Sequence, residues 1–263
     1  MGMIAWIDGR LSPVEDVRID PRDRGFTLGD GLYETIRAKD GALLRFDRHF
    51  ARLNDGLRVL DIPLTLDEAA LAEAMYAVLA GNSLADGVVR LTVSRGVGAR
   101  GLPPDPTSMP TVVITAAPYH APVPGRAMIA TVTRRNHLSP LSRIKVTSCA
   151  DSILARIEAT KAGYDDAILL NGAGVVAEAT AANVFAVIDG VLVTPPIQDG
   201  ALPGVMRAAI MARLTVEERS LKPEDMAQAN ELFLTTSLGI RPLTGLGERA
   251  LEIGETACGL RDL

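Results

Sequence analysis

The sequence predicts an α/β protein of the α+β kind built as two domains, and three observations lead there. Residues 1–117 read as strands with helices packed on one face, a small α+β domain. The stretch PYHAPVPGR at 118–126 is rich in proline and has no periodicity, which marks a linker. A second series of strands and helices, residues 127–263, forms a larger domain. With 263 residues the chain is long enough for two modest cores.

The elements follow in order. IAWIDG at 4–9 reads as a strand closing on an Asp8-Gly9 turn. The alternating run after Gly29 carries Lys39-Asp40-Gly41, a hairpin turn between two strands. Asp47 is placed to cap a helix whose Phe50, Leu53, Leu57 and Leu60 form an apolar stripe. Thr65 and Glu68 suggest a capping box for a second helix, which Gly81 ends. Strands are expected at Val88–Ser94 and Thr111–Ala116, with a Gly- and Pro-rich loop between. Beyond the linker the pattern gives a strand at Met128–Thr133 and a helix from about Asp151 to Ala162, stopped by Gly163. Strands at Ala167–Leu170 and Asn183–Val187 follow, then a hairpin across Asp189-Gly190. Pro203-Gly204 opens a helix through Leu214, and Glu231–Thr235 is the last clear strand.

Composition removes several classes of function. A net charge of −5 speaks against a nucleic-acid partner, whose phosphates need a basic face. No apolar run is long enough for a membrane span. The first residues, MGMIAWIDGR, lack a signal-peptide core, and two cysteines make no disulfide framework, so a reducing cytoplasm is expected. GVGARG at 96–101 matches a dinucleotide fingerprint, but Pro103, Pro104 and Pro106 forbid the helix that would hold the pyrophosphate. His49, His120 and His137 show no metal-ligand spacing, and no metal is expected.

The chemistry concentrates between Lys145 and Phe185. Of four lysines, Lys145 alone stands between apolar residues, Ile144 and Val146, in what reads as buried strand. Burial penalises its charge and lowers its pKa, as an imine-forming amine requires. Glu178 follows among small and hydroxyl residues. The order GDGLYET, HFARL, SRGVGARG, IK with a DSILAR helix, EATAANVF, ALPGVMR and LTTS resembles the fold-type IV (class IV) pyridoxal-phosphate enzymes. That family includes D-amino acid aminotransferase, branched-chain aminotransferase and aminodeoxychorismate lyase.

The resemblance implies the two-domain D-amino acid aminotransferase-like fold, a homodimer, a site in the crevice between the domains, and pyridoxal 5'-phosphate as cofactor. Lys145 falls on the Schiff-base lysine, and Glu178 on the acid that keeps the pyridine nitrogen protonated. Arg52 falls on the phosphate arginine, although it projects about 120° from the middle of the apolar stripe of its helix. Leu202 is drawn into the cofactor contacts by its place in ALPGVMR. Backbone N–H groups of Val205 and Met206 suit an anion on physical grounds, with Thr236 and Ser237 as hydroxyl donors. Tyr33 and Arg100 match positions that bind the substrate carboxylate in some members. The implied activity is transamination from a small amino acid, D-configured by preference, to a 2-oxo acid. The alternative is a lyase that releases pyruvate and p-aminobenzoate from aminodeoxychorismate, with an inert cofactor-binding protein as a third reading. Leu102 stands where D-amino acid aminotransferases often have histidine, and Thr236 where the lyases often have asparagine.

Overall fold

A computed structural model describes residues 2–261 and 263. Two compact units emerge. The first holds the described residues up to His120 together with Ile144–Ser148, and the second holds Ala121–Arg143 and Cys149–Leu263. The chain thus leaves the first unit at His120 and returns to it for five residues that include Lys145.

The first unit is a six-stranded sheet with two long helices on one face. Its strands are β1 (Ile4–Ile7), β2 (Arg10–Pro13), β3 (Gly31–Lys39), β4 (Ala42–Leu43), β5 (Gly87–Ser94) and β6 (Thr111–Pro118), in the order β2-β1-β6-β5-β3-β4. A short helix α1 (Arg24–Leu28) precedes β3, and α2 (Phe46–Leu60) and α3 (Glu68–Gly81) join β4 to β5. Period-two alternation sends Leu32, Ile36, Val89, Leu91 and Val93 into one core with Leu53, Leu57, Leu71, Met75 and Val78 of the helices. Fully burying such a side chain stabilises the fold by about 1.5–3 kcal/mol.

Two caps differ from expectation. Arg45, in the left-handed region with φ of 54°, precedes α2, and Asp47 lies inside the first turn, where it complements the helix dipole. Asp67, not Thr65, caps α3, accepting the Ala70 N–H, and Glu68 is the first helical residue. An Asp one residue before the helix reaches that amide directly, which leaves the Thr65–Glu68 box no role.

The second unit is a nine-stranded sheet. It contains β7 (Gly125–Ile129), β8 (Asp166–Leu170), β9 (Val176–Ala179), β10 (Asn183–Ile188), β11 (Val191–Thr194), β12 (Glu217–Glu218), β13 (Glu231–Thr236), β14 (Gly239–Leu246) and β15 (Arg249–Ala250). Helices α4 (Ala150–Lys161), α5 (Val205–Arg213), α6 (Pro223–Gln228) and α7 (Glu255–Gly259) complete it. The order is β12-β11-β10-β13-β14-β7-β8-β9, with β15 beside β14. The strand expected at Met128–Thr133 lies earlier, at Gly125–Ile129, and starts inside the proposed linker. β14 has no counterpart among the expected strands, because Pro242 lies within it. The structure tolerates that proline because pairing with β7 begins only at Leu243.

Candidate active site

Lys145 stands in an extended segment docked on one edge of β3. The Tyr33 N–H donates to the Lys145 carbonyl at 2.9 Å, the Thr147 N–H donates to Gly31 at 2.9 Å, and Ile144 is buried in the core. Lys145 is half-buried and outside any regular strand, so the buried-strand expectation is corrected. A chain that only bridges to Leu32 through Val146 cannot cover the lysine on both sides. Its Nζ lies 4.4 Å from the centroid of the Tyr33 ring. The Arg90 guanidinium lies over the same ring at 3.9 Å. The π-system of the phenol ring thus gathers the Lys145 amine and the Arg90 guanidinium.

Sequence reasoning misses Arg90. Its neighbours Val89 and Leu91 point into the core, so alternation puts Arg90 on the opposite face of β5, diagonally across from Tyr33. No carboxylate among the described residues lies within 4.0 Å of it. An arginine in the middle of an eight-residue strand is the legible signal.

Arg52 carries a bidentate contact, with Nε and Nη2 donating to Glu34 at 2.8 and 2.6 Å. His49, three residues earlier on α2, places Nδ1 at 2.7 Å from the same carboxylate. Burial alone would push Glu34 up, but the hydrogen bonds from His49 and Arg52 outweigh it and hold the carboxyl below its usual range. Glu34 is therefore ionised and His49 Nδ1 is the donor. Arg52 is not the solvated side chain that helical periodicity alone would make it.

In the second unit Glu178, on β9, is buried. Its Oε1 lies 3.0 Å from Arg135 Nε, and its Oε2 accepts the Leu202 N–H at 2.8 Å. Arg135 also donates to the carbonyls of Gly200 and Ser142. Gly200 has φ of 101°, and a Cβ there would stand 3.0 Å from Arg135 Cγ, so the glycine makes room for the arginine. Arg135 leaves no trace in the sequence, because its partner lies in a distant strand. Leu202 takes part through its backbone: its carbonyl accepts from Asn183 Nδ2 at 2.8 Å.

The start of α5 has the form of an anion cradle. Gly204 is the N-cap and offers no side chain, so the amides of Val205 and Met206 open the helix uncapped. Pro203 precedes the cap instead of filling the first turn. A Cβ on Gly204 would meet Asn183 Oδ1 at 1.9 Å. Thr235, paired in register with Asn183, keeps a buried hydroxyl with no hydrogen-bond partner. Phe233, two residues before it, packs against Met206, so Thr235 shares the α5 face of the strand. Bare amides, a glycine whose Cβ would displace Asn183 and an orphaned hydroxyl fit a phosphate. Thr236, expected to contribute, uses its hydroxyl to accept the Leu238 N–H in the turn after β13. Ser237 is half-buried in that same turn.

The class IV amino-transferase model matches residues 31–246. The chain belongs to the class IV aminotransferases. It is 34% identical to a putative branched-chain-amino-acid aminotransferase of Methanocaldococcus jannaschii, covering 99% of this chain and 94% of that one. Two solved structures superpose over nearly the whole chain. One is the 4-amino-4-deoxychorismate lyase from Pseudomonas aeruginosa, with 34% identity, TM-score 0.83, and coverage of 98% of this chain and 97% of that one. The other is the branched-chain amino acid aminotransferase of T.th. complexed with N-(5'-phosphopyridoxyl)-L-glutamate, with 25% identity, TM-score 0.89, and coverage of 99% and 92%.

In this class IV chain Arg100 is exposed on the loop between β5 and β6. The loop is tied at its far side by Arg24, which donates to the carbonyls of Gly101 and Leu102 at 3.0 and 2.8 Å. A cavity of about 550 Å³ on the first unit, lined by Trp6, Leu66, Val97 and Met109 among others, contains none of the candidate residues. The chemistry, not that cavity, identifies the site.

Proposed function

We propose that this class IV enzyme moves the amino group of a branched-chain amino acid to a 2-oxo acid with pyridoxal 5'-phosphate as cofactor. The observation that carries the reading is the half-buried Lys145 amine beside Tyr33 and Arg90. When bound, the cofactor supplies an aldehyde that condenses with amines and a ring that accepts electrons from the substrate Cα. The chain does the rest. Lys145 would move a proton between the substrate Cα and the cofactor's aldehyde carbon. Glu178, oriented by Arg135 and the Leu202 amide, would hold a proton on the ring nitrogen. Arg52 in the first unit, and in the second the amides of Val205 and Met206 with the Thr235 hydroxyl, are the groups suited to a phosphate, with Thr236 and Ser237 at the end of β13. Arg90 and Tyr33 receive the substrate carboxylate, and Arg100 approaches from its loop.

Branched-chain donors take precedence over D-amino acids because relatives matched along the whole chain carry that name. L-leucine, L-isoleucine or L-valine with 2-oxoglutarate should give glutamate and the branched 2-oxo acid. Turnover of D-alanine alone would restore the D-amino acid reading, and no product from any amino donor would remove the transaminase.

The lyase is a second reading, supported by 34% identity to the Pseudomonas enzyme at nearly full coverage of both chains. Release of p-aminobenzoate from aminodeoxychorismate is its test. We further propose a homodimer. The apolar side chains of Phe26, Leu102 and Met109, each at least 70% exposed, support a covered face. Light scattering at the mass of one chain would remove it.

A further inference from the structure

Glu34 has no part in the reaction described above, yet it is an acid on the helix-packed face of β3 with Leu32 and Ile36 on either side. Replacing a buried ion pair with apolar residues of similar size is often neutral or stabilising, so packing alone gives no reason for a carboxylate here. The geometry gives one. Glu34 takes the side-on edge of Arg52, Nε and Nη2, with two short hydrogen bonds. A guanidinium is a rigid plane, so a contact on that edge fixes its rotation. It also turns the end-on pair of hydrogens, one from each Nη, away from the carboxylate. Glu34 itself is pinned from α2 by His49 Nδ1 at 2.7 Å, so the acid cannot swing with the arginine.

We propose that Glu34, held by His49, is a positioning residue that aims Arg52 at the cofactor phosphate. This rests on the assignment of Arg52 to that phosphate. A fork already oriented before the ligand arrives loses less rotamer freedom on binding, and the phosphate meets two N–H groups in a fixed plane. Glu34 also compensates the arginine's charge in the ligand-free protein, where a lone guanidinium at this depth would be costly.

The test compares two ligands that differ only in the phosphate. Dissociation constants of pyridoxal 5'-phosphate and of pyridoxal are measured on the cofactor-stripped enzyme, by fluorescence or calorimetry, for the parent, Arg52→Gln, Glu34→Gln, Glu34→Asp and His49→Gln. The ratio of the two constants isolates the phosphate contribution. Arg52→Gln should reduce that preference by about a hundredfold and Glu34→Gln by about tenfold, with pyridoxal affinity nearly unchanged, since hydrogen bonds to charged groups are worth roughly 1.5–3 kcal/mol. A merely structural pair would weaken both ligands alike and leave the ratio where it was. If Arg52→Gln does not alter the ratio, the assignment of Arg52 is wrong. If Arg52→Gln lowers it while Glu34→Gln leaves it unchanged, the positioning role is overturned. Should Glu34→Gln fail to fold, Glu34→Asp decides: it keeps the charge but draws the carboxylate back, and must lower the ratio too. His49→Gln should give a smaller loss in the same direction.

Discussion

The two units hold their candidate groups by different means. The first unit uses side chains: the Lys145 amine and the Arg90 guanidinium on the Tyr33 ring, and Arg52 braced by Glu34 and His49. The second relies more on backbone: Glu178, set by Arg135 and the Leu202 amide, and the open amides at the start of α5. The difference has a physical consequence. Side-chain groups are lost by one truncation, whereas backbone amides survive every substitution but proline and otherwise yield only to a change of shape. The first unit should therefore be brittle to mutation of its charges, and the second to mutation of its small residues.

Substitutions test that contrast. The largest effect is expected from Lys145→Ala, which removes the group proposed as both covalent anchor and proton carrier. Turnover should fall by about 10³-fold or more, and the visible absorbance of the bound cofactor should be lost. Glu178→Gln comes next. It keeps the shape and the Leu202 contact but loses the carboxylate proposed to hold the ring-nitrogen proton, so kcat should fall about a hundredfold. A shift of the cofactor's ¹⁵N resonance toward the unprotonated value should accompany that loss. Gly204→Ala probes shape alone. Its φ of −70° suits alanine, but the added Cβ must displace Asn183 Oδ1. We expect a loss of about 1–3 kcal/mol, seen as a lower Tm and weaker retention of cofactor. If Gly204→Ala behaves like the parent, the second unit is less dependent on shape than argued.

The smallest effect is one of pH. Glu34 and Asp30 are both held below the usual carboxylate range. In each case burial acts upward and is outweighed by hydrogen bonds, from His49 and Arg52 for Glu34, and from Arg95 and Arg24 for Asp30. A depressed folded pKa contributes stability that is complete above the unfolded value and is lost as pH falls through the folded one. Thermal melts should therefore show Glu34→Gln less stable than the parent at pH 7, with the gap closing as pH falls from about 4.5 toward the depressed folded value. A gap that widens in acid would contradict the ionised state of Glu34.

The sequence by itself determined many of the elements and the class of chemistry. Alternation in LYETIRAK and VVRLTVS, the Phe50–Leu60 stripe and the turns at Gly41, Gly163 and Gly190 are local signals, and local propensity sufficed to read them. The motifs around Lys145 and Glu178 named the family for the same reason, since each is a short stretch that carries its own chemistry. What the tertiary structure decided is who meets whom. Glu34 in sequence is only one polar position in a strand, and α2 brings His49 and Arg52 onto it; Arg135 gains its role where Gly200 opens a path to Glu178. Arg90 was an arginine in a strand until sheet register laid it on Tyr33. β14 was hidden by its own proline, which is tolerable only because of where the neighbouring strand begins to pair. Contacts between residues far apart in the chain depend on register and helix docking, and these minimise the energy of the whole core, so no window of sequence contains them.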